Sequence, residues 1–423
     1  MTPDQGPLTQ EVTAGFLPQA PIDRRRILGG LAAVGAGLWL PGYVVEARQT
    51  EAETQQNYPP KFGEPLQVDP EIAEMANNAF EEFYPQWIDT WVVEGDSSEE
   101  KRVIFTPEDG STNSEVQAIG MEFAAHVEDW ELFDGLAVYM KTHTNSVGLM
   151  SHHLAANGSP IDTSSVVDAD LGIFQALAME SKKRGNYTDE AREYAENILE
   201  HDVDQNTFLF KGGNDWGGPK DGFVNPSYNI TGAYLLAHDM FGEKEWLKVK
   251  SAQEWLYDRI IEEQSETGLL PNWSAPDGTR VDYDLMKRIF YNRSMSEEEF
   301  TARLYAMSHE AGRIFQRVGT GAMWYGSEHD KKTLAKGAEF FATHDPDEIS
   351  GYTDIQTGEA LVNWPESLVL ANAAVALTAS GDVQAQRRYL EASMSIYDPS
   401  SPYVTNQAEP LKSWALLSGK MAA

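Results

Sequence analysis

The chain has 423 residues, of which 41% are hydrophobic, so it can bury a large core as one or two domains. Its formal net charge of −34 argues against duplex nucleic acid or an anionic membrane as a partner, because an acidic surface repels both. Cysteine is absent, which excludes disulfides, thiolate nucleophiles and thiolate metal ligands. Acidic residues are spread along the whole chain, a pattern that favours a protein hydrated in concentrated salt, and we expect a halophilic source.

The amino terminus predicts export. Three arginines at positions 24–26 precede an uncharged, Gly- and Ala-rich stretch from Ile27 to Val45, which ends at a small-residue site. This order is typical of a twin-arginine signal, and the alternative, a membrane anchor, is disfavoured by the glycines. We therefore expect an export signal at 1–47, a polar linker at 48–66, one folded domain at 67–423 and a secreted or cell-surface protein without a lasting membrane contact.

From residue 67 onward, apolar residues recur with helical spacing in about a dozen segments, and convincing strands are scarce. No fixed sequence period is present, which disfavours a superhelical repeat. The remaining all-α choices are a bundle or a closed ring of six helical hairpins, the (α/α)6 barrel, and the helix count fits the ring. In such a ring every inner helix begins on the same rim, so side chains at these starts would meet over one cleft.

Acids stand at two of the predicted helix starts. Glu115 lies in the first turn of "SEVQAIGMEFAAHV", and Asp168 and Asp170 lie in "SSVVDADLGIF". An acid in a first turn is commonly there because the helix dipole and free amides favour negative charge, and Asp168 could simply cap its helix. Three acids at two inner-helix starts nevertheless favour a site.

The loop "GGNDWGGPKDGFVNPSYNITGAY" adds groups suited to a sugar. Trp216 and Tyr228 offer flat apolar faces on which a sugar ring could stack, and Asn225 and Ser227 offer hydrogen bonds. The alternative is that these side chains only pack the loop.

A charged group also stands inside the apolar segment "SHEAGRIFQRVGTGAMWYG". Glu310 is followed three and seven residues later by Arg313 and Arg317, which predicts that both arginines face the one acid on one helix face. A surface ion pair is the plain explanation. Two arginines in a segment otherwise poor in charge favour a functional site over a surface ion pair.

These motifs resemble glycoside hydrolase family 8, the inverting endoglucanases, chitosanases and xylanases with an (α/α)6 barrel. The similarity covers nearly everything after residue 67, in the same order. "SEVQAIGM" is similar to the family's S-E-G-Q-S-Y-G-M, "DADLGI" to D-A-D-L-D-I, "NPSYNITGAY" to N-P-S-Y-x-x-P-A-Y, "GLLPNW" to G-L-x-P-D-W, "HEAGRIFQR" to Y-D-A-x-R-x-P-W-R, and "YVTNQAEPLKSWALLSGKM" to its carboxyl-terminal helix.

The resemblance implies one role for each matching position. Glu115 stands at the position of the general acid, and Glu310 at that of the general base, where the family usually has an aspartate. Asp168 and Asp170 match the D-A-D pair, of which Asp168 is the better candidate to hold the distorted sugar. Arg313 matches the arginine that orients the base or the sugar. Further substrate contacts are expected at Trp216, Tyr228, Asn225 and Tyr403.

Inversion sets a geometric condition on this assignment. The acid and the base must flank the sugar with their carboxyl groups roughly 6.5 to 9.5 Å apart, so that a water fits on one side. Glu115 must stay protonated, so burial must outweigh its helix dipole, whereas Glu310 beside arginines should stay ionised.

The chain departs from the family pattern at several positions. Val116, Ala118 and Ile119 make the surroundings of Glu115 more apolar, and His152 stands where a stacking tryptophan is expected. A segment before Glu310, from "VDYDLMKRIFYN" to "EEEFTARLYAM", looks inserted. It contains Asp284, the reserve candidate for the base.

We therefore expect an exported, monomeric, inverting endo-glycosidase that needs no metal or other cofactor and cuts β-1,4-linked polysaccharide. Cellulose or β-glucan is the first expectation, with xylan and chitosan open. Two alternatives remain: a polysaccharide lyase on a similar ring of helices, and a family-like barrel that only binds glycans.

Overall fold

The structure is a computed structural model that describes residues 60–291 and 295–421. The predicted export signal and most of the predicted linker lie outside these residues. Among the described helices, none combines the length and apolar character needed to cross a membrane. The helices are α1 Pro70–Trp91, α2 Ser114–His126, α3 Trp130–Thr142, α4 Val167–Lys183, α5 Thr188–His201, α6 Thr231–Phe241, α7 Glu245–Gln264, α8 Tyr283–Phe290, α9 Glu297–Tyr305, α10 His309–Gly312, α11 Ile314–Tyr325, α12 Glu328–Phe341, α13 Ser367–Leu377, α14 Val383–Ile396 and α15 Val404–Leu417.

Six of these helices form a closed inner ring. Each packs against the next in the order α2, α4, α6, α11, α13 and α15, and α15 returns to α2. Each inner helix also packs against an outer partner: α3, α5, α7, α12 and α14 follow theirs in the chain, whereas α1 packs on α15. The first and last helices therefore complete the sixth hairpin, and the predicted (α/α)6 barrel is confirmed.

The two rings differ in sequence because they differ in burial. In the outer helix α5 the buried residues are Ala191, Tyr194, Ala195 and Ile198, the three-to-four spacing of a helix with one apolar face. In the inner helix α2 every residue from 114 to 125 is buried. The polar side chains that remain in the inner helices must therefore find partners inside the barrel.

The strands of the described residues are short, and they shape the loops at the rim. β3 pairs with β4, and β4 with β5, both antiparallel, which ties the start of α2 to the loop before α4. β6 pairs with β7 just before Glu310, and β1 pairs with β2. The strands are β1 Val92–Glu94, β2 Lys101–Val103, β3 Thr112–Asn113, β4 His153–Leu154, β5 Pro160–Asp162, β6 Ala306–Met307 and β7 Thr353–Asp354.

Candidate active site

Glu115 is placed by the cap of α2. The side chain of Asn113 accepts a hydrogen bond from the Val116 amide at 2.9 Å, so Asn113, and not Glu115, satisfies the helix start. Glu115 is thus free to turn into the barrel, where only 7% of it is exposed. Burial raises the pKa of Glu115 to about 7, against the opposing effect of the Arg313 guanidinium. Burial thus gives Glu115 the surroundings that favour the protonated form expected of a general acid.

Asp168 enters the same space from α4. Val166 occupies the cap position of α4, so Asp168 is not the cap, and its Oδ1 accepts from the adjacent Ala169 amide. Its Oδ2 lies 2.9 Å from Arg317 Nη2 and 3.5 Å from Arg313 Nη1. Burial acts to raise the pKa of Asp168, but the two guanidiniums outweigh it and hold that pKa below its ordinary range.

Glu310 lies on the short helix α10, which a buried asparagine holds in place. Asn272, in the "GLLPNW" segment, accepts from the Ala311 amide at 2.8 Å and donates to the Arg303 carbonyl at 2.6 Å. The chain turns at Arg313, which ends α10 and caps α11. The sequence predicted that both arginines would face Glu310 on one helix, but Glu310 lies on α10 and Arg317 on α11. That expectation is wrong for Arg317, because it binds Asp168 and the Ser227 carbonyl, while Glu310 binds Arg313.

Arg313 is the centre of the site. One terminal nitrogen binds Glu115 and the other binds Glu310, so a single guanidinium bridges the two carboxylates. Both acids thus share one compartment, as predicted, and the guanidinium occupies the space between their nearest oxygens. We call Glu115, Asp168, Glu310, Arg313 and Arg317 the arginine cluster. The carboxyl separation required for inversion stays a prediction.

Asn225 supports the same carboxylate from the loop before α6. Its Oδ1 accepts from the Ser227 amide at 2.9 Å and from the Ser227 hydroxyl at 2.7 Å, which fixes the orientation of the amide group. Its Nδ2 is therefore directed to Glu310 Oε2, at 3.3 Å. This agrees with the predicted placement of Asn225 in the site.

Asp170 lies outside the arginine cluster. It is fully buried, accepts from the Tyr194 hydroxyl at 2.7 Å, and interacts with Asp202, whose Oδ1 accepts from Ser165 at 2.9 Å. We call Asp170 and Asp202 the carboxyl pair. Burial and the charge of Asp202 raise the pKa of Asp170, and burial raises that of Asp202 to about 6. One proton held between two carboxyl groups explains both directions.

The predicted sugar platforms are mostly buried. Trp216 donates through its indole nitrogen to the Ser165 carbonyl at 3.0 Å, and its ring meets that of Tyr228 edge to face. Tyr228 also packs against Trp273. Tyr403 is half-buried and caps α15. Their substrate roles stay predictions.

Two further residues were singled out in the sequence: Asp284 as the reserve base, and His152 at the position of a stacking tryptophan. Asp284 is exposed in the first turn of α8, and no ion pair in the described ranges joins it to Arg313. Its role as reserve base therefore has no support from these contacts. His152 is buried beside the start of α2, with Nδ1 3.3 Å from the Ser114 hydroxyl, and burial lowers its pKa to about 4.

The sequence did not point to a second group of charges in the barrel. Glu409 and Lys412 on α15 and Glu122 on α2 are all buried, and Lys412 binds Glu122 at 2.9 Å. His309 pairs with Glu366 at 3.7 Å beside Glu310. In the sequence, a charged residue among apolar neighbours on a helix was the one signal that these side chains are buried.

Comparison with known proteins decides the family. The model of glycosyl hydrolases family 8 matches residues 70–403 of this chain. The chain belongs to glycosyl hydrolases family 8. The predicted family is thus confirmed over nearly the whole described domain.

Relatives within family 8 extend the comparison. Endoglucanase 2 of Ruminiclostridium josui is 29% identical over 334 residues, and Endoglucanase C of Ruminiclostridium cellulolyticum is 28% identical over 335. Each match covers 75% of this chain and 66% of the relative, so the chain spans about two thirds of their length.

Solved structures of similar proteins support the fold. The β-1,3-1,4-glucanase from Paenibacillus sp. X4 is similar with a TM-score of 0.71 and 17% identity, over 86% of this chain and 97% of that one. The endo-β-1,4-glucanase CMCax from Acetobacter xylinum is similar with a TM-score of 0.59 and 19% identity, over 81% and 98%.

Proposed function

We propose that this family 8 protein is an exported inverting endo-glycosidase that hydrolyses β-1,4-linked polysaccharide, with cellulose or β-glucan as the first candidate substrate. The observation that carries the proposal is the pair of carboxylates bridged by Arg313, of which one has a pKa of about 7. An inverting glycosidase needs one protonated and one ionised carboxyl group beside the same sugar. We assign Glu115 as the acid, because burial raises its pKa, and Glu310, which binds the Arg313 guanidinium, as the base.

In the proposed reaction, Glu115 donates its proton to the glycosidic oxygen while the bond from that oxygen to the anomeric carbon breaks. Glu310 accepts a proton from a water whose oxygen bonds to the anomeric carbon from the opposite face. Arg313 must release at least one carboxylate when sugar and water enter, because it lies between them. Asn225 keeps a hydrogen bond on Glu310 during that change.

Asp168 is the group best suited to hold the sugar between acid and base. Its pKa is held low, so it stays ionised and can accept hydrogen bonds from sugar hydroxyls while Arg317 fixes its position. The relatives named as endoglucanases favour a glucan backbone, and xylan and chitosan remain alternative substrates. Export through the twin-arginine signal and adaptation to salt belong to the same proposal.

The test uses three variants in molar salt. Glu115→Gln and Glu310→Gln should each lower the release of reducing ends by about 10²- to 10⁴-fold, the usual contribution of general acid–base catalysis. Glu254→Gln is the matched control, because Glu254 is equally buried in a separate ion pair with Lys250 at 2.7 Å on α7.

Soluble cellulose derivatives, lichenan, xylan and chitosan serve as substrates, and NMR of the first product identifies the anomer. An α-anomer formed from a β-linkage supports inversion, and a β-anomer contradicts it. If Glu115→Gln cleaves as fast as the unaltered protein, Glu115 is not the general acid. If the unaltered protein cuts none of these polymers, the glycan-binding alternative is favoured instead, whereas an unsaturated product that absorbs in the near ultraviolet would indicate a lyase.

A further inference from the structure

Beneath the arginine cluster lies a second layer of buried charge that the proposed reaction does not use. Glu409 on α15 is fully buried, and its Oε1 lies 3.8 Å from Arg313 Nη1 and 3.9 Å from Arg317 Nη2. Neither oxygen of Glu409 accepts a hydrogen bond within the described residues. A fully buried carboxylate without hydrogen bonds is costly, and nearby cations are what keep it ionised.

The layer continues down the barrel. Lys412, one helical turn after Glu409, binds Glu122 at 2.9 Å, and Glu122 also accepts from the side-chain amide of Gln175 at 3.1 Å. Glu122 and Gln175 each lie seven residues, about two turns, after Glu115 and Asp168 on the same inner helices. Each site acid of α2 and α4 thus has a polar residue below it on its own helix.

Counting charges shows what this layer contributes. Four carboxylates, those of Glu115, Asp168, Glu310 and Glu409, face the two guanidiniums of Arg313 and Arg317. The excess of negative charge favours binding one proton in the cluster. Four carboxylates against two guanidiniums leave an excess of two negative charges, and without Glu409 the excess would be one.

We propose that Glu409 is a positioning residue that holds Arg313 and Arg317 from below and keeps the general acid in its protonated state. Lys412, one turn later on α15, adds a further positive charge that favours the ionised form of Glu409. This inference rests on the proposed roles of Glu115 and Glu310 and adds a residue to the same site.

The electrostatic surroundings agree with this role. The charged groups that face Glu115 are Arg313, Asp168, Glu310 and Glu409, and of these only Arg313 lowers its pKa. Burial acts to raise the pKa of Glu409, but its surroundings hold that pKa below its ordinary range. The groups responsible are Lys412, Arg313, Arg317 and, more weakly, His309.

The experiment measures the pKa of Glu115 directly. Protein labelled with ¹³C at the glutamate side-chain carboxyl carbons is titrated by NMR, and the Glu115 signal is assigned by its loss in Glu115→Gln. In Glu409→Gln the pKa of Glu115 should fall by at least about one unit, because at an effective dielectric of about 20 any charge within roughly 12 Å shifts a pKa by that much or more. The descending limb of the pH–activity profile should move down by the same amount.

Glu254→Gln again provides the control, since it removes a buried carboxylate on the outer helix α7 that pairs with Lys250, and it should leave the pKa of Glu115 unchanged. A merely structural role for Glu409 would lower the free energy of unfolding in both variants without moving that pKa. An unchanged Glu115 pKa in folded Glu409→Gln would overturn the proposal.

Two further arms keep the test decisive. If Glu409→Gln does not fold, Glu409→Met removes the same charge with an uncharged side chain of similar length and should likewise lower the pKa of Glu115; an unchanged value contradicts the proposal. Because the titration needs no substrate, a protein that cuts no polysaccharide refutes the proposed function while the pKa shift still decides the role of Glu409.

Discussion

The arginine cluster and the carboxyl pair are two buried acidic regions that begin on the same helix and behave in opposite ways. Asp168 and Asp170 are two residues apart on α4, so their side chains point about 200° apart around the helix. Both are buried, and burial alone would raise both pKa values. Asp168 faces two guanidiniums and its pKa is lowered, whereas Asp170 faces another carboxylate and its pKa is raised.

The difference shows that burial alone does not decide the charge state of an acid in this barrel, because the charge of the group that faces it also counts. Arg317 and Arg313 reach Asp168 from α11 and its cap, and Asp202 reaches Asp170 from the end of α5. The ionised aspartate lies where a sugar is expected, and the proton-sharing pair lies behind it.

The largest expected effect comes from removing the charge of Asp168, the ionised aspartate of the two. Asp168→Asn leaves the buried Arg317 without its nearest carboxylate, at 2.9 Å. We expect the free energy of unfolding at pH 8 to fall by about 3 kcal/mol, the lower end for breaking a buried pair, with loss of polysaccharide cleavage. Denaturant unfolding measures the free energy of unfolding, and the release of reducing ends measures polysaccharide cleavage. An equally stable variant would mean that Glu409 alone suffices to hold Arg317.

The same substitution two residues later should have the opposite sign. Asp170→Asn can still accept from Tyr194, and its amide can donate to Asp202 in place of the shared proton. Because a carboxyl group with a raised folded-state pKa costs stability once it must ionise, we expect this variant to gain about 1–2 kcal/mol at pH 8. Denaturant unfolding in parallel with Asp168→Asn is the measurement. A loss of similar size in both variants would contradict the contrast between the two aspartates.

The pH dependence of stability sharpens the comparison further. The folded pKa of Asp202 is about 6, above its ordinary value of 3.8, so the folded state binds more protons than the unfolded chain between these values. Stability from this group is therefore present below pH 4 and is lost as the pH rises to 6. The lowered pKa of Asp168 acts in the other direction, with stability lost as the pH falls below its ordinary value.

We expect the difference in free energy of unfolding between the unaltered protein and Asp170→Asn to change by about 1 kcal/mol between pH 4 and pH 7. Comparing variants cancels the contribution of the other acids, which is large in a chain with a net charge of −34. A difference that stays constant over this range would show that the pair does not share a proton.

Local sequence patterns were sufficient for part of this picture. Helical spacing and the order of the family motifs predicted the ring of hairpins. Glu115 and Asp168 could be placed at helix starts, and Glu310 beside Arg313, because each lies in a short recognisable segment. The partner of Arg317 could not be read in this way, because Asp168 is 149 residues away in the chain and meets it only in the closed ring. The seven-residue spacing from Glu310 indicated the wrong acid.

The deeper charges could not be placed from the sequence because their partners are distant in the chain. Glu409 and Lys412 have the spacing of an ordinary exposed helix face, and Glu122 is a single acid in an apolar segment. Their burial follows from closure of the ring, which brings α15 against α2 and α11. Asp202 ends an outer helix and likewise gains its partner only in the folded barrel.

The smallest expected effect concerns the loop that covers the carboxyl pair. Trp216 is only 7% exposed, and its indole nitrogen donates to the carbonyl of Ser165, the residue whose hydroxyl binds Asp202. Trp216→Phe removes this donor, and we expect the free energy of unfolding to fall by about 1 kcal/mol, the net value of one hydrogen bond. If the ring only packs the loop, KM for a soluble glucan should stay within about twofold, since no sugar contact worth even 1 kcal/mol is lost. A tenfold rise in KM without loss of stability would instead restore Trp216 as a sugar platform, and would mean that the loop opens when substrate binds.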